Sequence, residues 1–130
     1  MTAIGLRRYR DTRKHRRASR RDASRNACLF CESLVVAAYN LCHEDLSAAT
    51  RKSASIAFAR QVAMYLAHIA FGLSKSQIGR GFGRDRTTVA HACRTIEDRR
   101  DDPRFEAVLI CLENAAQTWS RYAGGEREAC

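Results

Sequence analysis

From Asn26 onward the apolar residues return every three or four positions, and that spacing confines the chain to packed helices. Cys28, Cys31, Val35, Ala38 and Cys42 share one helix face, which Leu34 and Leu41 widen. Ile56, Ala59, Val62, Ala63, Leu66, Ile69 and Ala70 form a second stripe in a helix from about Ser55 to Phe71. Val89, Ala92, Cys93 and Ile96 make a third, and Phe105, Val108, Leu109, Leu112, Ala116 and Trp119 a fourth. No segment alternates apolar and polar residues convincingly enough to read as a strand. The fold class is therefore all-α, and 130 residues suffice for one small helical domain with a usable core.

Local signals divide these stripes into elements. Gly72 stands where a helix C-terminal cap is expected, and Ser74 is a good N-cap for a short helix through Phe82 with Ile78 and Phe82 inward. Gly83 and Arg84 form a turn, and Asp85 caps a longer helix to about Arg99. Asp102-Pro103 opens the next helix, since proline at the first position gives up a donor that has no partner there anyway. Gly124-Gly125 is expected to end it. A short helix around 43–46 and a loop over 47–54 separate the first two stripes.

The net charge of +9 is unevenly spread. Residues 1–25 carry +8, residues 26–50 carry −3, residues 51–100 carry +7 and residues 101–130 carry −3. Almost without apolar residues, the first 25 are expected to be a disordered basic arm that contacts nucleic-acid phosphates or stays solvated. The helical domain is assigned to 26–123, and 124–130 to a frayed tail with an exposed thiol at Cys130. Positive charge concentrated in one central segment of a nearly neutral domain suits a polyanion.

Other classes are disfavoured. No apolar run approaches the ~20 residues of a membrane span, the longest being interrupted by Arg60, Gln61 and His68. The N-terminus has no apolar secretory stretch, and a cytoplasmic, nucleoid-associated location is expected. No phosphate loop, nucleophile triad or carboxylate pair is found, so neither an enzyme nor a cofactor is expected. Cys28-x-x-Cys31 with Cys42 and His43 suggests zinc, but three thiols along one straight apolar stripe do not converge on an ion. Buried free thiols are expected instead, and no metal.

Leu73 to Ile96 thus reads as a short helix, a glycine turn and a longer helix, the order of a helix-turn-helix. The string RQVAMYLAHIAFGLSKSQIGRGFGRDRTTVAHACRTIE resembles the C-terminal DNA-binding domain of the bacterial replication initiator DnaA, over roughly residues 30–115. There, an Arg-Gln helix start leads to Ile-Gly and then to a Gly-Arg-Asp-His-Thr-Thr-Val-x-His-Ala signature. Two departures stand out. A single Gly83 replaces the usual Gly-Gly, which should tighten the turn, and Arg86 replaces the signature's first histidine.

The residues themselves suggest roles. Asp85 can cap the second helix, accept from an exocyclic base amine, or do both. Arg86 can pair with guanine O6 and N7 or sit on the rim. The resemblance implies base contact for Thr87, backbone contact chiefly for Thr88, and groove contact for His91. Arg60, Gln61 and Lys75 sit at helix beginnings, where phosphate contacts are expected, and Arg84 and Arg94 could join them. The resemblance also implies a basic residue in the minor groove, here Arg51 or Lys52.

Two functions follow. The first is a DNA-binding protein recognising sites like the DnaA box, without the ATPase module, bound as a monomer and regulating transcription or replication initiation. The second is an accessory regulator that acts by contact with DnaA or its inactivating factors.

Overall fold

The computed structural model describes the backbone of residues 2–40 and 54–129, and the side chains of 19–40 and 54–123. Five helices follow one another with no strand among the described residues: α1 Thr2–Tyr39, α2 Ala54–Phe71, α3 Lys75–Phe82, α4 Arg86–Arg99 and α5 Pro103–Ala129. The short helix and loop expected between 43 and 54 lie almost wholly outside the described residues.

The four stripes converge on α2. Val62, Ala63, Met64, Tyr65, Leu66 and Ala67 are six consecutive buried residues, so the middle of α2 is wrapped on all sides rather than along one face. It packs against each of the other four helices. Cys31 and Val35 reach it from α1, Ile78 from α3, Val89, Ala92, Cys93 and Ile96 from α4, and Leu109 and Leu112 from α5. With 18 residues and a mean hydropathy of 1.2, α2 has the length and composition of a membrane span. Its place at the centre of the bundle accounts for that composition.

Several sequence expectations meet corrections. The segment 1–25, expected to be disordered, is helical from Thr2 as the N-terminal part of α1. Its arginines and alanines are good helix formers, no proline interrupts them, and the helix extends from a turn already docked in the core. Gly124-Gly125 does not end α5, which continues to Ala129, because a helical glycine costs only ~1 kcal/mol and stops a helix only where the chain turns left-handed. Ala38 is exposed, Val108 is 44% exposed and Trp119 45%, so the outer stripes bury fewer positions than their spacing suggests.

Where α2 ends, the chain makes the predicted cap. Gly72 has φ 64°, its N–H donates to His68 O at 3.1 Å, and Leu73 N–H donates to Ala67 O at 3.4 Å. Cys28 and Cys31 are buried free thiols, as expected; desolvation pushes their pKa values to about 11 and about 12 and keeps them neutral.

One interaction was invisible in the sequence. Arg100, just beyond α4, donates from Nε and Nη2 to both Glu106 carboxylate oxygens at 2.8 Å, and from Nη1 to Glu113 Oε1 and the Tyr65 hydroxyl, each at 2.8 Å. One guanidinium therefore ties the end of α4 to α5 and to α2. Charged hydrogen bonds of this kind contribute ~1.5–3 kcal/mol each when sheltered, less when partly solvated. With this side chain 30% exposed, Arg100→Ala is expected to cost ~1–3 kcal/mol in urea unfolding. Arg100→Lys should recover little of this, since an ammonium lacks the fork.

Candidate nucleic-acid interface

Helix α3 begins with a reciprocal cap. Ser74 Oγ accepts from Gln77 N–H at 3.2 Å, and Gln77 Oε1 accepts from Ser74 N–H at 2.8 Å. It ends at Gly83, whose φ of 65° and ψ of 37° lie in the left-handed region that glycine adopts at little cost. Arg84 N–H then donates to Gly79 O at 2.8 Å. The turn lies so close to α3 that a Cβ on Gly79 would stand 2.6 Å from the Arg84 carbonyl oxygen. The single glycine between Phe82 and Arg84 thus closes the turn, and Gly79 provides the room for it.

Asp85 is extended, with φ −77° and ψ 163°, and its Oδ1 accepts from Thr88 N–H at 2.8 Å. Hydrogen bonds from Thr88, with a smaller contribution from the Thr87 backbone, hold its carboxyl below the usual range. Of the two roles open to Asp85, capping is the one its geometry displays. From this cap α4 presents two faces. Val89, Ala92, Cys93 and Ile96 are buried, while Arg86, Thr87, Thr88, His91 and Arg94 are exposed. Thr87, His91 and Arg94 follow at spacings of four and three, so they lie along one outward stripe. Thr95 turns its hydroxyl back to His91 O at 2.9 Å.

The remaining candidates divide. Lys75 is half-buried at the start of α3, close enough to Cys93 for its charge to favour that thiolate, although burial outweighs it. Arg84 and Gln61 are half-buried. Arg60, expected at the phosphates, is 8% exposed on α2, so the structure does not place it on an open surface. The all-round burial of α2 extends to its position. Arg51 and Lys52 lie outside the described residues. Sequence reasoning gave no role to several exposed charges, among them Arg80 and Asp98. Arg80 is two residues past the inward Ile78, a spacing that could have revealed it, and Asp98 lies four beyond Arg94, where it places an acid at the end of the outward stripe.

The family model described as the bacterial dnaA protein helix-turn-helix matches residues 32–96. The chain belongs to that family. A solved structure titled as a DNA replication initiation factor is 28% identical, with a TM-score of 0.70, and the match covers 88% of this chain and 35% of that one. A replication initiator DnaA bound to AMPPCP and single-stranded DNA is 30% identical, with a TM-score of 0.65, and covers 82% of this chain and 31% of that one. The chain thus spans about a third of the length of these relatives. The segment from Leu73 to Ile96, within that match, is the DNA-binding helix-turn-helix of a DnaA-type domain, as the sequence suggested.

Gly79→Ala is expected to lower stability by ~1–3 kcal/mol in denaturant unfolding, because the obstructing atom is backbone. The Asp85 cap predicts a pH effect. Its folded pKa is depressed, so its contribution is complete above the ordinary carboxylate range and is lost as pH falls through the folded value. Asp85→Asn retains an acceptor but does not titrate. Melting temperatures followed from neutral to strongly acidic pH should therefore fall less in the variant than in the wild type.

Proposed function

We propose that the protein binds duplex DNA sequence-specifically, with the outward stripe of α4 in the major groove at sites resembling the DnaA box. It would thereby regulate transcription or replication initiation at the nucleoid. The observation that carries this reading is the partition of α4. Val89 and Ile96 are fully buried, and Thr87 and His91 are turned to solvent. A helix docked by one face and bare on the other, with cations at its opening, is what a major groove admits.

In this reading Arg86 pairs with a guanine, and Thr87 and His91 contact neighbouring base edges. Asp85 holds the helix start, with capacity left to accept from a base amine. Lys75, Arg84, Thr88 and Arg94 serve the phosphates with Gln61, and Arg51 or Lys52 the minor groove. Arg60, enclosed on α2, takes no part. One relative is bound to single-stranded DNA. Here α4 carries no Phe, Tyr or Trp on which unpaired bases would stack, which favours a duplex.

A second reading has one observation in its favour. Helix α5 exposes Val108, Trp119 and Tyr122 along one side, an apolar surface suited to another protein such as DnaA or a factor that inactivates it. Nuclease-treated pull-down separates this from DNA binding.

Binding-site selection from random duplexes, followed by titration of single-base variants, tests the main reading. Arg86→Ala and His91→Ala are each expected to remove ~1–3 kcal/mol of discrimination at one position. Lys75→Ala should weaken all duplexes alike and flatten the salt dependence by ~0.9 log units for each phosphate it no longer neutralises. Unchanged sequence preference in the two α4 variants would refute the assignment.

A further inference from the structure

Where α1, α3 and α5 meet the end of α2, the described residues enclose a cleft of about 320 Å³. Its room comes from small side chains, Ala23 and Ala27 on α1 and Ala123 on α5. Its wall is aromatic and held in place. Trp119 stacks on Phe30 with ring centroids 5.4 Å apart and planes 12° apart, and Phe30 meets Phe71 edge-on at 6.0 Å. Phe71 and Trp119 both line the cleft, and Phe30, touching both, ties the two rings together.

The polar groups of the cleft are few. Gln77 Nε2 donates to Ser24 Oγ at 3.3 Å, and the Ser24 hydroxyl donates to Arg20 O at 3.0 Å. Gln77 Oε1 meanwhile accepts from Ser74 N–H at the α3 cap. Among the described residues that line the cleft, Arg20 carries the one charge; it is exposed, and no carboxylate lines the space with it. Small-molecule sites enclose ~300–1,000 Å³ and combine an apolar, ring-lined body with a few polar groups that fix orientation. The cleft has that size and that make-up.

We propose that this cleft binds a small aromatic carboxylate, with its ring against Phe71 and Trp119 and its charge on the Arg20 guanidinium. Aromatic rings favour one another in offset-stacked or edge-on pairs. A guanidinium takes a carboxylate through two parallel N–H bonds. A neutral aromatic would leave the cation unused, and an aliphatic acid would forgo the ring contacts. Gln77 belongs to both the cleft and the α3 cap, and Leu73 to the turn between α2 and α3, so an occupant sits against the first helix of the helix-turn-helix. The proposal makes no demand on what α4 binds, and the two readings stand or fall separately.

Trp119 is the only tryptophan in the chain, so its indole N–H gives a single resonance that reports on the wall of the cleft. The test follows that resonance in proton–nitrogen correlation spectra of the full chain during titration with naphthoate. The shift should saturate with a Kd of about 1 mM or below, the range open to a ligand of this size. Naphthamide, which keeps the rings and loses the charge, should bind about tenfold more weakly, and so should cyclohexanecarboxylate, which keeps only the charge. Arg20→Gln should weaken naphthoate about tenfold and leave naphthamide unchanged. Ala23→Leu with Ala123→Leu fills the space from two half-buried positions and should abolish the shift in a protein that still melts cooperatively. No saturable shift in the wild type overturns the proposal. So do equal affinities for naphthoate and either control, an Arg20→Gln variant that binds naphthoate as the wild type does, or undiminished binding to the folded, filled variant.

Discussion

Everything in this domain hangs on the all-round burial of α2. A helix with one apolar face needs a single partner, but six successive buried residues from Val62 to Ala67 need partners on every side. That demand brings α1, α4 and α5 around it and leaves α3 to bridge α1 and α4. It also explains why the apolar faces of the outer helices are only partly used. Once Leu109 and Leu112 have met α2, Val108 and Trp119 stay largely exposed on α5. Trp119 stacks instead on Phe30 of α1, with ring centroids 5.4 Å apart.

The core in turn sets the pose of α4 through both of its ends. At the start, the close approach of Gly79 to the turn, the left-handed Gly83 and the Asp85 cap leave the first helical residue little freedom. At the far end, Arg100 is held by Glu106, Glu113 and Tyr65 together. Burial of Val89 and Ile96 fixes rotation about the helix axis between these two clamps. The direction in which Thr87 and His91 point is thus a consequence of packing and hydrogen bonds in which their own side chains take no part.

This division explains what could be read from the sequence. Ser74, Gly72, Gly83 and Asp85 were legible because caps and turns are local chemistry, decided within three or four residues. The buried face of α4 was legible because its period is regular. Arg100 was not, since its partners lie 6, 13 and 35 residues away and only the fold brings them together. Arg60 resembled a phosphate ligand because it is a cation near a helix start, and the wrapping of α2 cannot be inferred from one stripe. The basic half of α1 was misjudged for a related reason. Charge density argues against burial of the segment, but a helix already nucleated by Ala27, Cys28 and Cys31 can continue without it.

A helix clamped at both ends gives the substitution at position 86 a definite meaning. Were α4 loosely held, a longer cation at its opening could be absorbed by a small rotation, and base preference would blur. Here Asp85 is held by the backbone N–H of Thr88, and Arg84 N–H is bonded to Gly79, so the residues on either side of the helix start are already committed. On the proposed reading, Arg86 would reach a base through its own side chain, from a helix start already bonded in place. A guanidinium is suited to that, since its flexible stem spans the distance and its planar fork restores geometric discrimination at the far end. On that reading the single-glycine turn and the arginine act together: the first sets where the side chain starts, and the second supplies the reach.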